Sequence, residues 1–126
     1  AIFGFSFKAN TNDTRESPSI SISEYLLKEG VKLNFYDPRV SEAQIFGEFK
    51  EEEYNDKIYV CDSALSAAEG TDAVIIMTEW EEFKNLRWEN IYKVMRKPSW
   101  IFDTRICLDR NKLEGIGFKL WILGTP

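Results

Sequence analysis

The sequence has no histidine and only two cysteines, Cys61 and Cys107, at a spacing that makes no CxxC pair. Histidine-based general base catalysis, nucleophile triads that use histidine and nearly all zinc sites are therefore excluded. A long apolar run is also missing. The longest, at 73–78, is far short of the roughly 20 residues a membrane span requires. The opening residues Ala-Ile-Phe-Gly-Phe-Ser-Phe lack the charged and long apolar regions of a secretion signal. Basic charge is scarce too: 16 Lys and Arg against 21 Asp and Glu give a net charge of −5, so no basic field for nucleic acid exists at the level of the whole chain. The two cysteines are expected as buried free thiols rather than a disulfide.

What is present fits a soluble globular domain. The chain has 126 residues, of which 44% are hydrophobic, enough for one core and too short for two full-sized domains. Short apolar runs at 2–7, 31–36, 58–61, 73–78, 100–102 and 118–123 read as strands. Helices are predicted over Pro18–Lys28 and over 63–69, 88–95 and 111–115, the first started by an N-cap serine, Ser17, with proline next. Strands alternating with helices imply right-handed βαβ units, and the unbroken Ala73-Val-Ile-Ile-Met run fits a central strand buried on both faces. The predicted fold is a three-layer α/β/α Rossmann-like domain with a mostly parallel sheet of about six strands. Residues 41–56, with Glu48, Glu51, Glu52 and Glu53, read as a solvated acidic loop or short helix. The chain opens inside an expected strand without a cap, the pattern of a segment cut from a longer polypeptide, and 124–126 reads as a strand exit.

In an open parallel sheet, ligands gather beyond the carboxyl ends of the strands, near the switch in strand order. Three basic residues fall there: Lys8 after the first strand, Arg15 before the first helix, and Arg105 after the fifth strand. Side-chain cations beside a helix start make an anion site; the alternative is unrelated ion pairs, Arg15 with Glu16 and Arg105 with Asp103. The first loop holds only Gly4 in place of G-x-G-x-x-G, which counts against a principal NAD site. Asp37-Pro38 could supply a ribose-binding acid, but reads first as a turn start. Trp80 reads as a core cap before a stacking platform. No carboxylate pair has the spacing of acid–base catalysis.

Gly4-Phe5-Ser6-Phe7-Lys8, Asn12-Asp13-Thr14-Arg15-Glu16-Ser17-Pro18, Tyr36-Asp37-Pro38, Thr78-Glu79-Trp80 with Phe83, Ile101-Phe102-Asp103-Thr104-Arg105 and Gly115-Ile116-Gly117-Phe118 together resemble the UDP-binding domain of the UDP-glucose/GDP-mannose dehydrogenase family, across essentially the whole chain. That resemblance implies residues 1–126 form the nucleotide-sugar-binding domain of a longer NAD-dependent enzyme that oxidises UDP-glucose to UDP-glucuronate with two NAD. It implies that Phe7, Lys8 and Arg105 contact the UDP-sugar, and that Arg15 reaches the NAD held mainly by another domain. The catalytic cysteine would also lie outside these residues, so no catalytic residue is expected here. A cytoplasmic homo-oligomer, without nucleic-acid or membrane partners, completes the expectation. Thr104 stands where the family often has glycine, and Ile106 where it usually has a polar residue. The second reading is a stand-alone, non-catalytic nucleotide-binding or regulatory module of the same fold.

Overall fold

The computed structural model describes residues 1–49 and 52–124. Its strands are β1 (Ile2–Phe3), β2 (Leu33–Tyr36), β3 (Ile58–Val60), β4 (Ala73–Ile76), β5 (Trp100–Asp103) and β6 (Lys119–Ile122). Its helices are α1 (Pro18–Lys28), α2 (Glu42–Glu48), α3 (Ala64–Ala68), α4 (Glu81–Lys84), α5 (Trp88–Val94) and α6 (Arg110–Ile116), with a 3₁₀ turn at Glu52–Lys57. One six-stranded sheet runs in the order β3-β2-β1-β4-β5-β6, every pairing parallel. The order reverses between β1 and β4, the place where a parallel sheet opens a crevice beyond its carboxyl edge.

Three helix starts carry caps of serine chemistry. Ser17 accepts a hydrogen bond from the Ser19 amide and Pro18 takes the first helical position of α1. Ser41 with Gln44 and Ser63 with Ser66 form reciprocal capping boxes on α2 and α3. The acidic stretch thus contains a capped helix and a 3₁₀ turn, while Glu51 lies outside the described residues, as do Thr125 and Pro126 of the expected strand exit. The single-turn helix α4 had no periodicity long enough to reveal it.

The first strand is shorter than its apolar run. Gly4 leaves the extended region with φ +96°, a conformation reserved for glycine here, since a side chain would meet the Thr78 Cβ at 2.5 Å. Phe5 stays buried all the same, edge-on to Phe35 and Phe49.

Two apolar clusters lie on opposite faces of the sheet. Leu27 of α1 and Ile45 of α2 pack with Ile2, Leu33, Phe35 and Ile58 on one face. Ala67 of α3, Trp88 of α5 and Leu113 of α6 pack with Phe3, Val74, Ile76 and Ile101 on the other. Right-handed crossovers dictate this division, since connections reverse face when strand order reverses. The α1/α2 face of β5 and β6 is left open there, and presents a row in which Trp100 stacks on Phe102 and Trp121 lies tilted against Phe102. Among the described residues, no helix is long and apolar enough to cross a membrane.

Candidate anion site at the carboxyl edge of the sheet

The loop leaving β1 is shaped by carboxylates of neighbouring strands. Asp37, just beyond β2 and buried, accepts five hydrogen bonds. Its Oδ2 takes the amides of Phe5 (2.7 Å) and Ser6 (3.0 Å) and the indole Nε1 of Trp80 (3.2 Å). Its Oδ1 takes the amides of Arg39 (2.8 Å) and Val40 (3.1 Å). The residue does start a turn, as read from sequence, and all this occupancy removes it as a ribose acceptor. Trp80 is buried as a cap over the core, with Arg39 5.9 Å from its ring centre. Thr78 Oγ1 donates to the Ser6 carbonyl at 2.9 Å and Ser6 Oγ to that of Lys8 at 2.8 Å, so the loop is pinned directly before its basic residue.

Asp103 does the same for the loop after β5. Fully buried, it accepts the amides of Arg105 (3.0 Å), Cys107 (2.9 Å) and Leu108 (2.9 Å), curling the chain around one carboxylate. Thr104 Oγ1 donates to the Ile76 carbonyl at 2.5 Å. Ile106 is held at φ +58°, where a β-branched residue is strained, and its side chain is exposed. Asn10 and Glu16 are also left-handed, so all three non-glycine residues with positive φ among the described residues lie in the loops at this edge.

The basic residues divide into two places. Lys8 and Phe7 are exposed, and Lys8 has no ion-pair partner among the described residues. Arg105 is half-buried rather than open: its Nε donates to Glu79 Oε2 at 2.6 Å and its Nη2 lies 2.5 Å from the same oxygen. Glu79, just beyond β4, receives the Ala9 amide on Oε1 at 3.2 Å. One carboxylate therefore joins the Lys8 loop to the Arg105 loop across the strand-order switch. Burial opposes its ionisation, but the Ala9 amide and the Arg105 guanidinium prevail and hold the Glu79 carboxyl below its usual range.

Arg15 stands apart with Phe7, lining a cleft of about 530 Å³ with Asp13 and Glu16. Its side chain is 87% exposed and grips Asp13 in two places, Nε to Oδ1 at 3.0 Å and Nη2 to Oδ2 at 2.8 Å. Hydrogen bonding to Arg15 lowers the Asp13 carboxyl to about 2. Arg15 and Arg105 are thus both ion-paired, but not with Glu16 and Asp103. The family resemblance included Glu79 without revealing it as the partner of Arg105. Nor did it reveal Asp37 and Asp103 as collectors of loop amides; the available signal was an aspartate ending a parallel strand with no glycine-rich loop behind it.

Cys61 and Cys107 are free and half-buried. Burial, then the nearby Asp103 charge, pushes the Cys107 thiol up to about 12, and burial raises Cys61 as well, so neither is an activated nucleophile. No metal-binding cluster of acidic, cysteine or histidine groups occurs among the described residues. A larger groove of about 880 Å³ lies at the opposite, amino edge, against Ala1, Leu26, Val31, Ile75 and Phe102. It is remote from the strand-end loops that hold every basic residue considered above, and we place the anion site with the loops rather than in the larger volume.

Residues 1–110 match the model for the UDP-glucose/GDP-mannose dehydrogenase family, UDP binding domain. The chain is 43% identical to UDP-glucose 6-dehydrogenase of Gallus gallus over 98% of its length, and 40% identical to that of Caenorhabditis elegans over 99%. It spans 27% of the length of each. Among solved structures, UDP-D-ManNAc dehydrogenase from Pyrococcus horikoshii aligns with a TM-score of 0.73 at 29% identity, over 98% of this chain and 24% of that one. An NDP-N-acetyl-D-galactosaminuronic acid dehydrogenase from Methanosarcina mazei, 22% identical with a TM-score of 0.76 over 98% of this chain and 24% of that one, shares the fold.

Proposed function

Because the chain belongs to the UDP-glucose/GDP-mannose dehydrogenase family, as a UDP-binding domain, we propose that residues 1–126 supply the nucleotide half-site of an NAD-dependent dehydrogenase converting UDP-glucose to UDP-glucuronate. The observation that carries this reading is the meeting of two basic loops at Glu79, beside the strand-order switch. Lys8 and Arg105 would neutralise the diphosphate, with Phe7, exposed next to Lys8 in sequence and lining the cleft shared with Arg15, available to the nucleotide or sugar. The relatives at 40% identity or more named above carry UDP-glucose in their names, and this favours glucose over the N-acetylated sugars named for the solved structures.

NAD does not fit this chain as its principal site. Asp37 is saturated by five donors, and the first loop lacks the G-x-G-x-x-G pattern that lets backbone approach a pyrophosphate. We therefore assign the chain's own share to Arg15, whose outward position allows it to meet a cofactor held elsewhere. By the family resemblance, the oxidation itself would fall to a cysteine outside these residues; burial raises both thiols here, which does not suit an attacking thiolate. Fixing the nucleotide lets such a group act at high effective concentration. A homo-oligomer in the cytoplasm is part of the same proposal. A stand-alone regulatory module is not favoured, because the relatives are dehydrogenases.

Titration of the 126-residue chain with UDP, followed by amide shifts and calorimetry, tests the reading. Shifts should concentrate at Phe7–Lys8 and Thr104–Arg105. Arg105→Ala and Lys8→Ala should each weaken UDP binding by about tenfold, the scale of one charge-assisted hydrogen bond. Unchanged affinity in both variants would sink the assignment. Arg15→Ala should leave UDP binding as it was.

A further inference from the structure

We infer that Glu79 is a positioning residue for the anion site, holding Arg105 and the Lys8 loop in the geometry that receives the diphosphate; this rests on the UDP reading above. A carboxylate beside a site for a polyanion is, on charge alone, unfavourable, so its presence needs a reason. The hydrogen bonds supply one. Glu79 engages Arg105 along one edge of the guanidinium, through Nε and Nη2. Nη1 donates to no described residue, leaving the other end of the fork free for a phosphate oxygen.

No other acid nearby does this work. Asp103 is fully buried, and its two oxygens are taken by the amides of Arg105, Cys107 and Leu108. Asp37 is saturated by the first loop and Trp80. Among the acids of the described residues, Glu79 alone spans from the first loop, through the Ala9 amide one residue beyond Lys8, to the fifth-strand loop. The pair is also half-shielded, at 31% and 34% side-chain exposure, so it is ordered more firmly than a surface ion pair. A long arginine that is already fixed loses less freedom when ligand arrives, and affinity rises accordingly.

The test is a double-mutant cycle read by UDP calorimetry on the 126-residue chain, comparing Glu79→Ala, Arg105→Ala and the double variant. Glu79→Ala should weaken UDP binding about tenfold where Arg105 is present, the scale of one lost pre-ordered side chain, and by a smaller factor, from the Lys8 loop alone, where Arg105 is absent. Equal loss in both backgrounds would mean a general structural role, and unchanged or tighter binding would mean a mere counter-charge; either overturns the inference. Glu79→Gln keeps the acceptor for Ala9 and guards against a variant that does not fold. A second readout needs no ligand: the Arg105 Nε proton should be shifted downfield and protected from exchange in the unsubstituted chain, and should lose both properties in Glu79→Gln. Absence of UDP binding by the unsubstituted chain, with that proton signature intact, would refute the UDP reading and leave Glu79's hold on Arg105 demonstrated. A proton unmoved by Glu79→Gln would refute the positioning, whatever UDP does.

Discussion

Replacing Asp37 with asparagine changes one atom's chemistry at the point where five donors meet. An amide has a single oxygen. If that oxygen keeps Phe5, Ser6 and Trp80, the new NH₂ faces the amides of Arg39 and Val40. Arg39 is exposed and can recover a water, whereas Val40 is buried and cannot. One buried orphan donor costs about 1–3 kcal/mol, and three hydrogen bonds lose their ionic character at roughly 0.5 kcal/mol or more each. Relief from burying a charge works the other way, and we expect the donors to outweigh it. The net loss should be about 3 kcal/mol, which for a domain of this size lowers the thermal midpoint by about 10 °C. Urea denaturation of both proteins measures it, with an unchanged slope if only the native state is altered. A loss below about 1 kcal/mol would refute the view that Asp37 organises the first loop, given what a single net hydrogen bond is worth.

Ile106→Asn should raise stability by about 1 kcal/mol by relieving a left-handed β-branched residue whose side chain is exposed, as calorimetric melting would show. Both native thiols should react slowly with a thiol reagent at about pH 8 and quickly in denaturant, since burial raises both and Cys107 reaches about 12. Glu79 is depressed in the folded state, so its contribution is present above the ordinary carboxylate range and lost as pH falls below it. The midpoints of the unsubstituted chain and Glu79→Gln should therefore converge on acidification from about pH 7 to about pH 3; a constant gap would contradict the assigned ion pair.

The sheet was readable because each strand carries a short apolar run, and the six runs alone place β1 to β6 in the correct sequence positions. Alternation with helices gave the parallel layers. Strand ends were less legible: at Gly4 the apolar pattern continues to Phe7 while the backbone has already turned close to Thr78, a tertiary approach invisible in local sequence. Helix α4 is a single turn, too short for a 3.6-residue period to stand out, and α2 lies in the acidic stretch that read equally as a loop or a short helix. Lys8, Arg15 and Arg105 could be found from their places after strands or before a helix. Their partners could not: Arg15 takes Asp13 rather than the adjacent Glu16, and Arg105 reaches Glu79 across 26 residues of sequence, a contact that only the folded strand ends create.

The four tryptophans fall into two optical classes because the crossovers leave one sheet face open. Trp80 and Trp88 are buried, and the indole of Trp80 bonds to Asp37 beside the loops proposed to hold UDP. Trp100 and Trp121 emit from the open face, within reach of a collisional quencher such as iodide. A ligand at the strand-end loops should alter the blue, quencher-resistant emission, whereas anything covering the aromatic row should remove the red, quenchable part. A single fluorescence spectrum thus reports separately on two surfaces of the same domain, with no label attached.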